Sequence, residues 1–114
     1  MGTDEQLRIA TRRGSDRLIL ALEGELDMAS STLLQEALAR ANCEGSGTVV
    51  LDLRGVRFLD SSGLKAIFRA RKAVRERGQQ FAVTPGSAQV QRLLSLTHLD
   101  EHLRTIDSPD ALLT

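Results

Sequence analysis

Short apolar runs alternate with segments of helical periodicity along the chain, and this alternation predicts an α/β fold. Residues 18–22 are apolar at every position, which is typical of a strand that is covered on both faces of a sheet. Apolar and β-branched residues concentrate again at residues 48–53. Each run is followed by apolar residues spaced three and four apart, as on one face of a helix. We therefore expect a mainly parallel sheet whose strands are joined by right-handed crossovers.

The start of the chain predicts an antiparallel β-hairpin and then a helix. Apolar and polar residues alternate over residues 7–11, and residues 13–16 supply a turn before the next strand. The helix after that strand could be capped by Asp27 or Ser30, and the glycines at residues 45–47 are expected to end it. Its buried stripe is predicted to consist of Leu34, Ala37, Leu38 and Ala41.

The second half of the chain predicts two further helices and two short strands. One helix is expected to begin at residues 60–63 and to stop at Gly78. Its predicted buried residues are Leu64, Ile67, Phe68 and Val74, with Ala70 beside them. Residues 81–83 predict a fourth strand, residues 103–106 a last strand, and Ser108 the start of a short tail helix. The inner face of the third helix is predicted to carry Val90, Leu93, Leu94 and Thr97.

The composition argues against several classes of protein. With 114 residues, the chain is expected to form one domain over residues 1–114. Its 15 basic and 15 acidic residues balance, and three phenylalanines are its only aromatic residues, so no nucleic-acid binding is expected. No apolar run approaches the roughly 20 residues that span a bilayer, so no membrane insertion is expected. Cys43 is the only cysteine, which fits a reducing cytoplasm.

Two serines stand where the second helix is predicted to begin. Residues 60–63, Asp-Ser-Ser-Gly, follow the end of a buried strand by a short connection. Backbone N–H groups at a helix start lack internal partners and the helix dipole is positive there, so an added anion is favoured. A phosphoserine would be well accommodated, but Asp60, Ser61 or Ser62 could equally serve only as a cap. The residues alone leave both roles, and the choice between the two serines, open.

The Asp-Ser-Ser-Gly-Leu segment resembles a motif of the bacterial anti-sigma factor antagonists, which are STAS-domain proteins. The strand at residues 49–53 and the Gly-Glu-Leu-Asp segment at residues 24–27 complete the resemblance, which spans nearly the whole chain. It implies a single STAS-type α/β domain with no catalytic residue, metal or cofactor. It further implies that the unphosphorylated protein binds an anti-sigma factor, itself a serine kinase, and so releases a sigma factor for transcription. Phosphorylation ends that binding, and a serine phosphatase restores it.

The resemblance also assigns residues. The first serine of the motif, Ser61, corresponds to the phosphorylated residue, with Ser62 as the second choice, and Asp27 matches an acidic residue near the partner-facing surface. Cations spaced along the second helix form either a solvated face or a surface that steers an acidic partner. These cations are Lys65, Arg69 and Lys72. The residues expected to bind the partner are Asp27, Asp60, Ser61, Ser62, Gly63, Lys65 and Arg69.

Other functions stay open as alternatives. Asp52 in a central strand is compatible with a receiver-like domain that is phosphorylated on aspartate. Residues 98–102 match the H-x-x-E-H pattern of a zinc-dependent hydrolase, although that site needs a long helix and a third ligand. A serine hydrolase would need a base near Ser61, and the chain's two histidines both lie near its C-terminus. STAS domains also occur in stressosomes and as transport accessories.

Overall fold

The computed structural model describes residues 7–41, 47–98 and 101–111. These residues form four strands and three helices in the predicted order, so the expected α/β class with an opening hairpin is confirmed. The elements are β1 (Arg8–Arg13), β2 (Arg17–Leu26), α1 (Ser31–Ala41), β3 (Thr48–Leu59), α2 (Ser61–Glu76), β4 (Gln80–Thr84) and α3 (Ala88–Leu96). Cys43 and most of the predicted stop of α1 lie outside the described residues.

The sheet has the strand order β1-β2-β3-β4. β1 and β2 are antiparallel, whereas the pairs β2–β3 and β3–β4 are each parallel. The last residue of β2, Leu26, pairs with the last residue of β3, Leu59. Both strands therefore end at the same edge of the sheet, and the residues that follow them, Asp27 and Asp60, leave the sheet side by side.

β3 is longer than the sequence predicts, because it continues past Leu53 to Leu59. Its second half pairs with the end of β2 through two register shifts, which lie after Ala21 and after Gly24. Such irregularities disturb the alternation of buried and exposed residues that would mark a strand in the sequence. The extension carries the chain out to the edge where α2 begins.

The helices cover the sheet with the apolar stripes that the sequence predicts. In α1 the four predicted residues are all buried, and Gln35 Nε2 donates to the Ala66 carbonyl of α2 at 3.4 Å. In α2, Phe68 is only half-buried, whereas the other predicted residues, including Ala70, are buried, as is Ala66. The prediction for Thr97 is wrong, because this residue is exposed at the end of α3 and donates its hydroxyl to a helix carbonyl.

The predicted last strand and tail helix are not formed as expected. Thr105 makes a single parallel bridge to Val83, and the two backbone hydrogen bonds around it are each 2.9 Å long. The chain then bends away, so no full strand develops. Within the described residues up to Ala111 the tail consists of turns and bends. Arg17 donates to the carbonyls of Pro109 and Ala111, each at 2.8 Å. These contacts bind the tail across the second face of the sheet.

No helix among the described residues is both long enough and apolar enough to cross a membrane.

Candidate functional site

Asp60 caps α2. Its backbone is extended, with φ −113° and ψ −172°, and its Oδ1 accepts from the backbone N–H of Gly63 at 2.9 Å. The first intrahelical hydrogen bond runs from the N–H of Leu64 to the Asp60 carbonyl at 3.0 Å. Of the three capping candidates in the motif, the carboxylate is therefore the one used, and the helix start does not need a serine hydroxyl.

Ser61 and Ser62 are consequently the first two residues of α2. Ser61 is exposed, whereas Ser62 is half-buried. The first turn of α2 contains no acidic residue, so Asp60 at the cap supplies the carboxylate that faces the positive end of the helix dipole. Asp60 Oδ1 binds the N–H of Gly63, and the N–H groups of Ser61 and Ser62 have no partner within the helix. This environment favours a negative group on either hydroxyl, and the exposure of Ser61 makes it the more accessible of the two.

Gly63 brings the first turn of α2 against the end of β2. A Cβ atom at this position would lie 2.2 Å from the carbonyl oxygen of Leu26 and 2.6 Å from Cδ1 of Leu59. Real Cβ atoms do not approach other heavy atoms so closely, so only glycine fits here without a shift of the backbone. The close packing places the serine pair next to the turn that follows β2, and Asp27 is the first residue of that turn.

Asp27 is held in place by Ser30. The backbone N–H of Asp27 donates to Ser30 Oγ at 3.0 Å, and its Oδ1 accepts from the backbone N–H of Ser30 at 3.1 Å. The buried Ser30 hydroxyl also lies 2.8 Å from the carbonyl of Glu25. The hydrogen bonds of both side chains lie within this turn. Neither side chain accepts from an N–H group in the first turn of α1, which is what the predicted cap of α1 would do. Asp27 stays half-exposed beside the start of α2.

The exposed face of α2 extends from Ser61 through the predicted cations. Lys65 and Arg69 lie four and eight residues beyond Ser61, and both are exposed, as is Lys72. The structure thus places the serine and the cations on one continuous strip of surface, which we call the α2 strip and define as Ser61, Lys65, Arg69 and Lys72. The predicted stripe is present and faces outward.

Two exposed apolar residues near this edge were not singled out from the sequence. Met28 is 74% exposed in the turn after Asp27, and Phe58 is 41% exposed near the end of β3. Exposed apolar side chains contribute to a contact surface where they lie together with other contact residues, whereas a single one is ordinary. Met28 could have been noticed as an apolar residue placed in a polar turn, but Phe58 could not, because its strand was predicted to end earlier.

The alternative sites are not assembled. Arg54 binds both carboxylate oxygens of Asp52, at 2.9 and 3.0 Å, and these hydrogen bonds raise the pKa of the Arg54 guanidinium. Asp52 is buried in this ion pair rather than open at a strand end as in a receiver domain. His98 and Glu101 are exposed in turns and not on one helix. Over the described ranges no group of three or more potential metal ligands comes together.

The mixed sheet and the capped serine helix at its edge define a class of α/β domain, and the STAS domain family model matches residues 8–111. The chain belongs to the STAS domain family. Its relatives include an anti-sigma F factor antagonist from Paenibacillus polymyxa, which is 36% identical over 98 residues, or 82% of this chain and 80% of the relative. The resemblance to STAS-domain anti-sigma factor antagonists seen in the sequence is therefore confirmed.

Solved structures share the fold. A crystal structure of an anti-sigma factor antagonist from Mycobacterium paratuberculosis superposes on this chain with a TM-score of 0.82 at 22% identity. The match covers 96% of this chain and 93% of the antagonist chain. The murine anion transporter Slc26a9 contains a similar region, with a TM-score of 0.71 and 25% identity. That match covers 85% of this chain and 17% of the transporter. The same fold thus occurs in proteins of different function.

Proposed function

We propose that this protein is a cytoplasmic anti-sigma factor antagonist controlled by phosphorylation of Ser61. In the unphosphorylated state it binds an anti-sigma factor that is also a serine kinase, and the sigma factor is released. The observation that carries the proposal is an exposed serine at the first position of a helix that Asp60 already caps. The function needs no catalytic residue, metal or cofactor of this chain, since the kinase and a separate serine phosphatase supply the chemistry.

The position of Ser61 suits a reversible modification. In the kinase reaction the γ-phosphoryl group of ATP forms a bond to Ser61 Oγ, the bond to ADP breaks, and the hydroxyl proton passes to a base of the kinase. Because the hydroxyl has no capping role, its modification leaves the Asp60 to Gly63 hydrogen bond intact. A phosphate at the helix start also interacts favourably with the dipole. The fold should therefore tolerate both states.

The proposed partner surface surrounds this serine. It combines Asp27, the α2 strip and the exposed apolar residues Met28 and Phe58. Apolar contacts of this kind supply binding energy once they are buried, and charged groups at the rim set the orientation and rate of encounter. A phosphate adds about −1.5 to −2 charges and bulk within this surface, so a partner that fits the unmodified hydroxyl would be expelled.

The assignment of Ser61 is tested by phosphorylation of serine variants. The chain is incubated with ATP and the anti-sigma factor kinase of the same organism, and the modified residue is located by mass spectrometry of its peptides. We expect Ser61→Ala to abolish incorporation of phosphate and Ser62→Ala to retain it, because Ser61 is exposed and Ser62 is half-buried. Ser62→Ala is the matched control, since it removes the neighbouring hydroxyl from the same helix turn. Phosphate on Ser61→Ala but not on Ser62→Ala would contradict the assignment.

Charge reversal on the α2 strip should slow association. We expect Lys65→Glu and Arg69→Glu each to lower the association rate constant for the anti-sigma factor severalfold at low salt, because the two cations attract an acidic partner surface. Stopped-flow measurements across a salt series check this, and the dissociation rate should change less. Arg92→Glu on the exposed side of α3 is the matched control. If the association rate constant changes neither with salt nor in Lys65→Glu and Arg69→Glu, the α2 strip is only a solvated face.

A second candidate function rests on the likeness to Slc26a9. A domain of this fold attached to an anion transporter would use its surfaces within the same polypeptide or complex rather than against a kinase. The two candidates differ in the phosphorylation assay, because the transporter-associated role requires no transfer of phosphate to Ser61. The higher identity to the anti-sigma F factor antagonist, 36% against 25%, favours the first candidate.

A further inference from the structure

A basic cavity of about 450 Å³ lies at the end of α2 that is remote from Ser61. At 1.5 Å per residue, the helix separates Ser61 from Arg75 by roughly 20 Å. The lining of the cavity includes Arg71, Arg75, Gln79, Gln80, His102 and Arg104. They come from the last turns of α2, the start of β4 and the segment after α3, so the cavity is assembled from distant parts of the chain.

Three arginines concentrate positive charge in the lining of the cavity. Arg71 and Arg75 lie four residues apart on one side of α2, and the Arg104 Nη1 donates to Gln80 Oε1 at 2.9 Å. The described lining residues include no aspartate or glutamate. Within the described part of the chain, Arg71 and Arg75 form no ion pair with an acidic side chain. An anion in the cavity would relieve the repulsion between these guanidinium groups.

A second observation comes from Gln79. Gln79 lines the cavity and is 6% exposed, and its buried Oε1 has no hydrogen-bond partner among the described residues. A buried carbonyl left without a donor is unfavourable, and such a group in a pocket points to a ligand that donates to it. The backbone N–H of Gln79 donates to the Val74 carbonyl at 3.2 Å, so the backbone of this residue is held in place at the end of α2.

We propose that this cavity binds a small phosphate monoester that carries a hydroxyl group. Guanidinium groups bind phosphate oxygens through paired hydrogen bonds, which assigns the phosphate to the arginines. The ligand hydroxyl would donate to Gln79 Oε1. The volume lies within the range of small-molecule sites. The inference is independent of the proposed switch, because none of these residues belongs to the partner surface around Ser61.

The test uses the full chain and three probes: glycerol 3-phosphate, inorganic phosphate and glycerol. By calorimetry or amide chemical shifts we expect saturable binding of glycerol 3-phosphate with a Kd near or below about 1 mM, weaker binding of inorganic phosphate, and none of glycerol. Arg71→Gln and Arg104→Gln should each weaken glycerol 3-phosphate binding by about tenfold, because each removes a charged donor. If neither glycerol 3-phosphate nor inorganic phosphate shows saturable binding, the proposal is overturned. The same holds if both variants bind glycerol 3-phosphate with wild-type affinity.

Matched variants separate the cavity from general surface charge. Lys65→Gln and Arg69→Gln remove the same charge from the other half of α2 and should leave the affinity unchanged. Gln79→Met keeps the side-chain volume close and removes the acceptor, so it should abolish the preference for glycerol 3-phosphate over inorganic phosphate. If Lys65→Gln weakens glycerol 3-phosphate binding as much as Arg71→Gln does, the ligand is attracted by general surface charge and the proposed site is wrong. Ser61→Ala should bind as the wild type does, so failure of the switch and failure of this site are distinguishable.

Discussion

Replacing Gly63 with alanine is expected to lower the free energy of unfolding by about 3 kcal/mol, at the upper end of the effects of overpacking. The new Cβ would lie 2.2 Å from the Leu26 carbonyl oxygen, a backbone atom that cannot move aside as a flexible side chain can. Alanine is intrinsically the better helix former by about 1 kcal/mol, so the measured loss is net of that gain. Urea denaturation of the two proteins, with comparison of both midpoint and slope, measures the change.

Gly14→Ala is the matched control for this prediction. Its added Cβ would meet Arg17 atoms no closer than 3.7 Å, which is ordinary van der Waals contact. We expect a change within about 0.5 kcal/mol, as for an exposed site without special features. Similar stability of Gly63→Ala and Gly14→Ala would show that the first turn of α2 does not rest against β2 as described. The close approach that positions Ser61 beside Asp27 would then be wrong.

Ser61→Asp is expected to weaken binding of the anti-sigma factor by about tenfold or more, equivalent to about 1.4 kcal/mol. The carboxylate brings a charge into a surface that fits an uncharged hydroxyl, although it carries less charge than phosphate. The fold should tolerate the change, because Asp60 remains the cap of α2 and the exposed position 61 has no capping role. Calorimetric titration measures the affinity, and thermal unfolding shows whether the variant is folded.

Ser15→Asp provides the comparison for that titration. Ser15 is exposed in the turn between β1 and β2, at the opposite end of the sheet from Asp27. The same chemical change there should leave the affinity unaltered. If Ser61→Asp binds the anti-sigma factor as tightly as the wild type, a single added charge at this helix start does not expel the partner. Enzymatically phosphorylated protein, measured in the same titration, then decides whether the full phosphate does so.

Most of the secondary structure could be predicted because its causes are local. The stripe of α1, the capped start of α2 and the apolar strands at residues 18–22 and 48–53 each depend on periodicity or on capping residues within a few positions. The same holds for the exposure of Lys65 and Arg69, which follows from their spacing on a helix whose other side is apolar. These features need no knowledge of distant parts of the chain.

Other features depend on residues that meet only in the folded chain. The second half of β3 is a strand because it pairs with the irregular end of β2, and Arg17 binds the Pro109 carbonyl across 92 positions of sequence. Gly63 must be glycine because the Leu26 carbonyl lies against it, a contact invisible in the local motif. Local pattern thus determines which segments are strands and helices and where α2 begins. Tertiary packing alone decides that the first turn of α2 rests against the end of β2 and so brings Ser61 beside Asp27, because the Leu26 carbonyl that Gly63 meets lies far from it in the sequence.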